Sequence, residues 1–236
     1  MGNKEMKLKT YGLVGYKDQD GNVVIPCQWT SAFPFSEGLA SVEDESGKWG
    51  FIDESGNVVI PCQWNDAHFF YEGLASVQDA NNKWGFVDKE GNLVIPCQWH
   101  FVLGGFHDSL AMVADERGMC GFIDQLGNGV IPCQWNEAGW FYEGLASVQD
   151  ANNKWGFIDK TGKVVISCEW KGARFFSEGM AAVRDSNDKW GFIDKTGKVV
   201  MPCQWNSVRN FRNGKVEVQD VRFGRSYFID KNGQRL

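Results

Sequence analysis

The sequence predicts an all-β protein: short antiparallel β-meanders in tandem, stacked into an open curved superhelix, with a closed β-propeller-like ring as the competing arrangement. Three observations carry this. "KWGFIDESGNVVIPCQW" at 48–64 returns almost unchanged at 83–99, 154–170 and 189–205. A tryptophan closes each copy, and Trp29, Trp64, Trp99, Trp135, Trp170 and Trp205 are 35 or 36 residues apart, a period that marks stacked arrays. Glycine stands at 28 and proline at 6, which suits many short strands joined by glycine turns.

One unit reads "EGLASVQDANNKWGFVDKEGNLVIPCQW" (72–99), followed by a variable stretch. "LASVQD", "KWGFVD" and "NLVIPCQW" are three runs of strand type bounded by turn residues. Between the last two, "DKEG" places Asp where it can bond its own backbone and Gly where φ turns positive, the chemistry of a tight hairpin. "DANN" serves between the first two. Each unit is therefore expected to be a three-stranded meander. The variable stretch either crosses back or carries a short extra strand, unless the proline splits "VIPCQW" in two. Alternation puts Trp84 with Phe86 on one face, and Ile95, Cys97 and Trp99 together on the next strand. A lone three-stranded sheet cannot bury those rings, whereas stacked copies can.

This divides the chain into a lead (1–10), an N-terminal cap hairpin (11–35), repeats at about 36–70, 71–105, 106–141, 142–176 and 177–211, and a C-terminal cap (212–236). Residues 70–86 and 141–157 are letter-for-letter identical, as duplication of a pair of units would leave them. Val14 and Tyr227 stand where other units have the WG tryptophan, and are expected at ends that no neighbour covers. Arg222, Arg225, Lys231 and Arg235 make the last unit polar, as an open array requires of its caps.

The order EGLA, KWGFID, glycine, VIP and aromatic resembles the bacterial WG (KWG) repeat, from about Thr10 to the end. The "CQW" ending departs from that pattern, where Tyr or Phe is more usual. The resemblance implies an all-β repeat region that acts as a binding or scaffold module without catalytic residues of its own.

Six cysteines (Cys27, Cys62, Cys97, Cys133, Cys168 and Cys203) recur once per unit. No copy holds a second cysteine to pair with, so reduced thiols and a cytoplasmic location are expected. One thiol per layer cannot converge four ligands on zinc, so the thiol reads as small apolar filler beneath the tryptophans. Asp53, Asp88, Asp124, Asp159, Asp194 and Asp230 lack the calcium-loop pattern and read as turn caps. Glu37, Glu72, Glu143 and Glu178 are expected to satisfy backbone donors at a loop end. No cofactor and no metal are expected. A catalytic reading rests on the irregular, longer unit alone, with Cys120 as nucleophile beside His107, and loses to the simpler reading of a drifted repeat. No apolar run approaches the roughly 20 residues of a membrane span, and "MGNKEMKLKTYG" carries no secretory signal.

The variable stretches form the expected binding face, because the framework repeats while they change. Its candidates are Phe33, Phe69, Tyr71 and Tyr142 among the aromatics, His68 and His100, and the cations Arg174 and Arg209. Trp140, the one tryptophan outside both rows, leads them. Residues 1–159 hold 9 Lys and Arg against 22 Asp and Glu, net −13, and residues 160–236 hold 15 against 8, net +7, summing to −6. An acidic chain is a poor general nucleic-acid binder. The sequence thus points to a non-enzymatic scaffold for a protein partner, or for itself through oppositely charged ends. A carbohydrate or small-ligand module using loop aromatics is the alternative.

Overall fold

The computed structural model describes residues 6–10, 12–219 and 224–236, with side chains from residue 12 onward. Arg222 of the polar cap lies outside them. All described elements are β-strands. Two compact units divide the chain, residues 1–116 with 124–128 and residues 117–123 with 129–236.

In the first unit, Met6–Thr10, Leu13–Lys17 and Val23–Trp29 make a three-stranded sheet. Met6–Thr10, assigned by sequence to a lead, is therefore a strand. Two four-stranded sheets follow. The first is Ser31–Ala32, Leu39–Glu43, Trp49–Asp53 and Val58–Trp64. The second is Asp66–Tyr71, Leu74–Gln78, Trp84–Val87 and Leu93–Trp99. Phe101–Val102 then pairs with Ala111–Ala114. In the second unit, Cys120–Ile123 pairs with Gly129–Trp135. Two more four-stranded sheets run from Glu137 to Trp170 and from Gly172 to Trp205. Ser207–Val208, Lys215–Gln219 and Ser226–Asp230 form a three-stranded one.

The three-strand count is thereby corrected to four. The extra strand comes from the variable stretch, and it is as short as two residues in Ser31–Ala32 and Gly172–Ala173. Proline does not split its run: Val58–Trp64 is one seven-residue strand. The proline is absorbed in a bulge, since Trp49 faces Trp64 and Phe51 faces Ile60, two steps against four. The bulge explains the glycine of WG. A Cβ on Gly50 would stand 2.5 Å from the Ile60 carbonyl oxygen, and one on Gly85 2.4 Å from that of Ile95. Only glycine admits the doubled-back strand.

The cysteine sits beside that glycine. A Cβ on Gly85 or Gly156 would lie 2.9 or 2.8 Å from the sulfur of Cys97 or Cys168. The thiol therefore occupies the hollow over the glycine. The Cys62 and Cys97 thiols donate to the carbonyls of Val42 and Val77, both at 4.0 Å. Burial pushes the thiols of Cys62, Cys97 and Cys203 up to about 11.

Successive sheets cover one another through a ladder of rings. Phe51 meets Phe70 at 4.9 Å and Phe86 meets Phe106 at 4.9 Å in the first unit. Phe122–Phe141, Phe157–Phe176 and Phe192–Phe211 repeat this at 4.8–5.0 Å in the second. Nearly all are fully buried, and each edge-on pair adds about 1 kcal/mol to the burial itself. Val14 is buried in the cluster of Tyr16, Ile25, Ala40, Val42 and Ile52. The expectation of an uncovered Val14 is corrected, because the back of the following sheet packs on it.

The turn aspartates cap their hairpins. Asp53 Oδ1 accepts from the backbone N–H of Ser55 and Asn57, and Oδ2 from the Asn57 amide, while Gly56 takes φ +87°. The repeated glutamates do more than close a loop. Glu37 holds φ 53° and Gly38 φ 89°, the two left-handed positions of a tight hairpin, a conformation costing a non-glycine residue about 1 kcal/mol. Its carboxylate reaches the next repeat, accepting from Gly73 N–H at 3.0 Å and pairing with Lys89 at 3.1 Å. Glu143 does the same with Gly179 and Lys195, and Glu178 with Gly214 and Lys231. The strained residue is thus a staple between layers.

Candidate functional site

Register places three side chains of each sheet near one another on one face. The fourth residue after the CQW tryptophan lies opposite the central residue of the LASV strand: Phe33 N–H donates to Ser41 C=O at 2.9 Å, and Arg174 N–H to Ala182 C=O at 2.9 Å. The WG tryptophan stands diagonally from that central residue, since Glu43 faces Trp49 while Ser41 faces Phe51. The trios are Phe33, Ser41 and Trp49, then His68, Ser76 and Trp84 in the first unit. In the second they are Gly139, Ser147 and Trp155, then Arg174, Ala182 and Trp190, then Arg209, Glu217 and Ser226. Tyr227 faces Val218 at the register of the WG glycine, a correction to its reading as a replaced WG tryptophan.

The first member varies most, and in most trios it caps the tryptophan. Phe33 stacks on Trp49 at 5.3 Å and 29°. His68 lies flat on Trp84 at 4.6 Å and 10°, with Nδ1 2.8 Å from Ser76 Oγ. Burial holds its pKa below the usual imidazole value, with the Asp66 charge opposing, so the ring rests neutral. The Arg174 guanidinium sits 5.2 Å over Trp190, and Arg184 approaches the same ring at 5.7 Å. Arg209 pairs with Glu217 at 2.9 Å, while Tyr227 lies under Arg235 at 4.5 Å.

The structure links several sequence candidates and separates others. In the first unit Phe33 meets Phe69 at 5.1 Å, Phe69 meets Tyr71 at 6.2 Å, and Tyr71 meets His107 at 4.9 Å. With Trp49 this is a continuous line of rings. His100 stands outside it, 3.9 Å from the Glu116 carboxylate that also holds Lys83. In the second unit Trp140 lies 6.2 Å edge-on from Tyr142, and Tyr142 4.5 Å from Phe175. Phe69, Tyr71, Trp140 and Tyr142 belong to strands Asp66–Tyr71 and Glu137–Tyr142, a correction to their placement in loops. Arg184 belongs to the basic end of the sequence, and the structure adds its place on Trp190, at the register that holds Glu43, Gln78 and Gln149 in other sheets. The buried Cys120 thiol lies 3.9 Å from the Asn136 carbonyl.

A basic cleft of about 300 Å³ opens on the last sheet, lined by Arg209, Arg212, Lys215, Glu217 and Phe228 among others. Lys215 lies over the exposed Phe228 ring at 5.1 Å.

Tandem antiparallel sheets held by one repeated framework, with a changing row of side chains, define the class: an all-β repeat protein. Within that class the chain belongs to the family of the WG containing repeat, whose model matches residues 15–49, 49–84, 84–115, 121–155, 155–190 and 190–220. No curated protein matches it. Among solved structures it is similar to the computationally designed Ika8 protein, at a TM-score of 0.55 and 11% identity over 100% of this chain and 86% of that one. BamB from Moraxella catarrhalis is similar at 0.52 and 12%, over 93% and 79%. At such identities the likeness concerns the fold alone.

Proposed function

We propose that this protein is a non-enzymatic repeat scaffold that holds a protein partner, a second copy included, along the row of trios and through its oppositely charged ends. One observation carries the reading: from the sheet of Trp49 to that of Trp190 the WG glycine, the cysteine and the inner phenylalanine repeat, while the first residue of the trio runs through Phe33, His68, Gly139, Arg174 and Arg209. A framework that keeps its packing and varies one facing row is the arrangement of repeat proteins that recognise a surface. The half-buried framework thiols of Cys62, Cys97 and Cys203, held protonated by desolvation, support a reading without nucleophilic chemistry. The basic cleft with Arg212 and Lys215 suits an acidic surface, such as the −13 segment of another copy.

Sedimentation velocity across concentration, at low and high salt, tests this. Association that weakens with salt, and that Arg212→Glu abolishes, is the expected result. A strict monomer whose tryptophan emission shifts with a glycan would overturn it in favour of a carbohydrate module on the Trp49–Phe33–Phe69–Tyr71 line.

A further inference from the structure

The row of trios has one empty place. Phe33, His68 and Arg174 each lie over the tryptophan of their own sheet. In the sheet from Glu137 to Trp170 the same position is Gly139, which has no side chain to offer. Trp155 accordingly has no ring and no cation over it among the described residues, and it keeps part of its surface in solvent. Ser147 is 5% exposed, where Ser41 and Ser76 beside Phe33 and His68 are at 1% and 0%. The serine of this trio is thus slightly more open to solvent than the serines of the first two.

Nothing in the backbone demands glycine at 139. Its φ is not in the left-handed region. The single close atom to a Cβ there is the Ser147 hydroxyl at 2.7 Å, the tip of a side chain that rotates, and Ser41 and Ser76 coexist with Phe33 and His68. The vacancy is therefore a property of the side chain alone, unlike the glycine of WG.

The equivalent trio shows what fits. Over Trp190 the chain itself supplies guanidinium planes, from Arg174 and Arg184. At Trp155 the position of Arg184 is taken by neutral Gln149, and that of Gly172 by the exposed acid Glu137. Glu137 faces Gln149, and Gln149 faces Trp155, so all three stand in one line across the sheet. Two strand spacings, about 10 Å, separate Glu137 from Trp155. A planar cation laid on the indole face gains the ring's quadrupole and has a carboxylate at the far end of the line. We infer that the niche of Gly139, Ser147 and Trp155 receives an arginine side chain of a partner protein, with Glu137 pairing to the guanidinium. This deepens the scaffold reading and rests on it, by assigning the chemistry of one contact. A pyranose ring also stacks on an open indole, but it gains nothing from Glu137.

The test uses the full-length ¹⁵N-labelled chain, with the Trp155 indole N–H resonance assigned through Trp155→Phe. It is titrated with the capped tripeptide Gly-Arg-Gly, its citrulline counterpart and maltotriose. The arginine peptide is expected to move the Trp155 signal saturably, and citrulline to bind at least about tenfold more weakly because it keeps the plane and loses the charge. Gly139→Phe, which copies the first trio, should weaken the arginine effect at least about tenfold while the other indole signals stay in place. If that variant does not fold, Gly139→Arg copies the Trp190 trio and serves instead. A Trp155 signal unmoved by arginine, an equal response to citrulline, a response indifferent to both position-139 variants, or a response to maltotriose alone each overturns the inference. Salt-sensitive association retained in Gly139→Phe alongside any of these would leave the scaffold reading standing and remove only the niche. Arginine binding by a strict monomer would do the reverse.

Discussion

Replacing Gly85 by alanine tests the packing rule on which every layer depends. The added Cβ would stand 2.4 Å from the Ile95 carbonyl oxygen, 2.8 Å from Cys97 N and 2.9 Å from Cys97 Sγ. A comfortable carbon–oxygen contact is about 3.3 Å, so the intrusion is roughly 0.9 Å into backbone that has no rotamer to change. The bulge between Trp84–Trp99 and Phe86–Ile95 must open. Overpacking of this kind costs about 1–3 kcal/mol, and each ladder hydrogen bond lost adds about 1 kcal/mol. The sum is about 3–5 kcal/mol, or about 10 °C in midpoint for a chain of this size. The control is Gly73→Ala, where φ is +85° but no atom lies within 4 Å, so that left-handed strain alone costs about 1 kcal/mol. Urea unfolding followed by tryptophan fluorescence measures both. The reasoning is refuted if Gly85→Ala loses no more than Gly73→Ala. Cys97→Ala should not rescue the variant, because the carbonyl contact remains.

Two further outcomes follow from the same geometry. With thiols pushed up to about 11, Cys62, Cys97 and Cys203 hold about one thiolate in a thousand at pH 8. Thiol-reagent labelling of the native protein should therefore be slow at these positions and rise sharply only in denaturant; rapid native labelling would contradict the packing over the WG glycine. The side-chain hydrogen bonds from Asn57, Asn92 and Asn128 to Asp53, Asp88 and Asp124, and those from Thr161 and Thr196 to Asp159 and Asp194, hold these carboxyls below the usual 3.8. A folded-state pKa below the unfolded one stabilises above the unfolded value, and that contribution disappears as pH falls through the folded value. Thermal midpoints should thus hardly change through these groups between pH 7 and 5 and drop between 4 and 2, and a midpoint at pH 2.5 equal to that at pH 5 would count against the caps.

The sequence by itself determined the layer and its period. Strands such as Leu74–Gln78 and Trp84–Val87 are bounded by turn residues whose chemistry is local, and Asp53 caps its own hairpin within four residues. Short-range geometry of that kind is written in adjacent letters. One row of core rings was legible as a recurrence, since Phe35, Phe70, Phe141, Phe176 and Phe211 each stand six residues after a CQW-type tryptophan, but their pairing with the phenylalanine after WG was not. Only the tertiary structure decided the rest. A two-residue strand such as Gly172–Ala173 has no alternation to read, and exists because the neighbouring strand offers it hydrogen bonds. Glu37 looked like a loop residue, yet its carboxylate is used 36 residues on, at Gly73. Gly50 and Gly139 are the same letter with opposite meanings, one forced by a carbonyl 2.5 Å from a missing Cβ, the other free to be filled. Distances between atoms far apart in the chain carry that difference, and no local pattern encodes them.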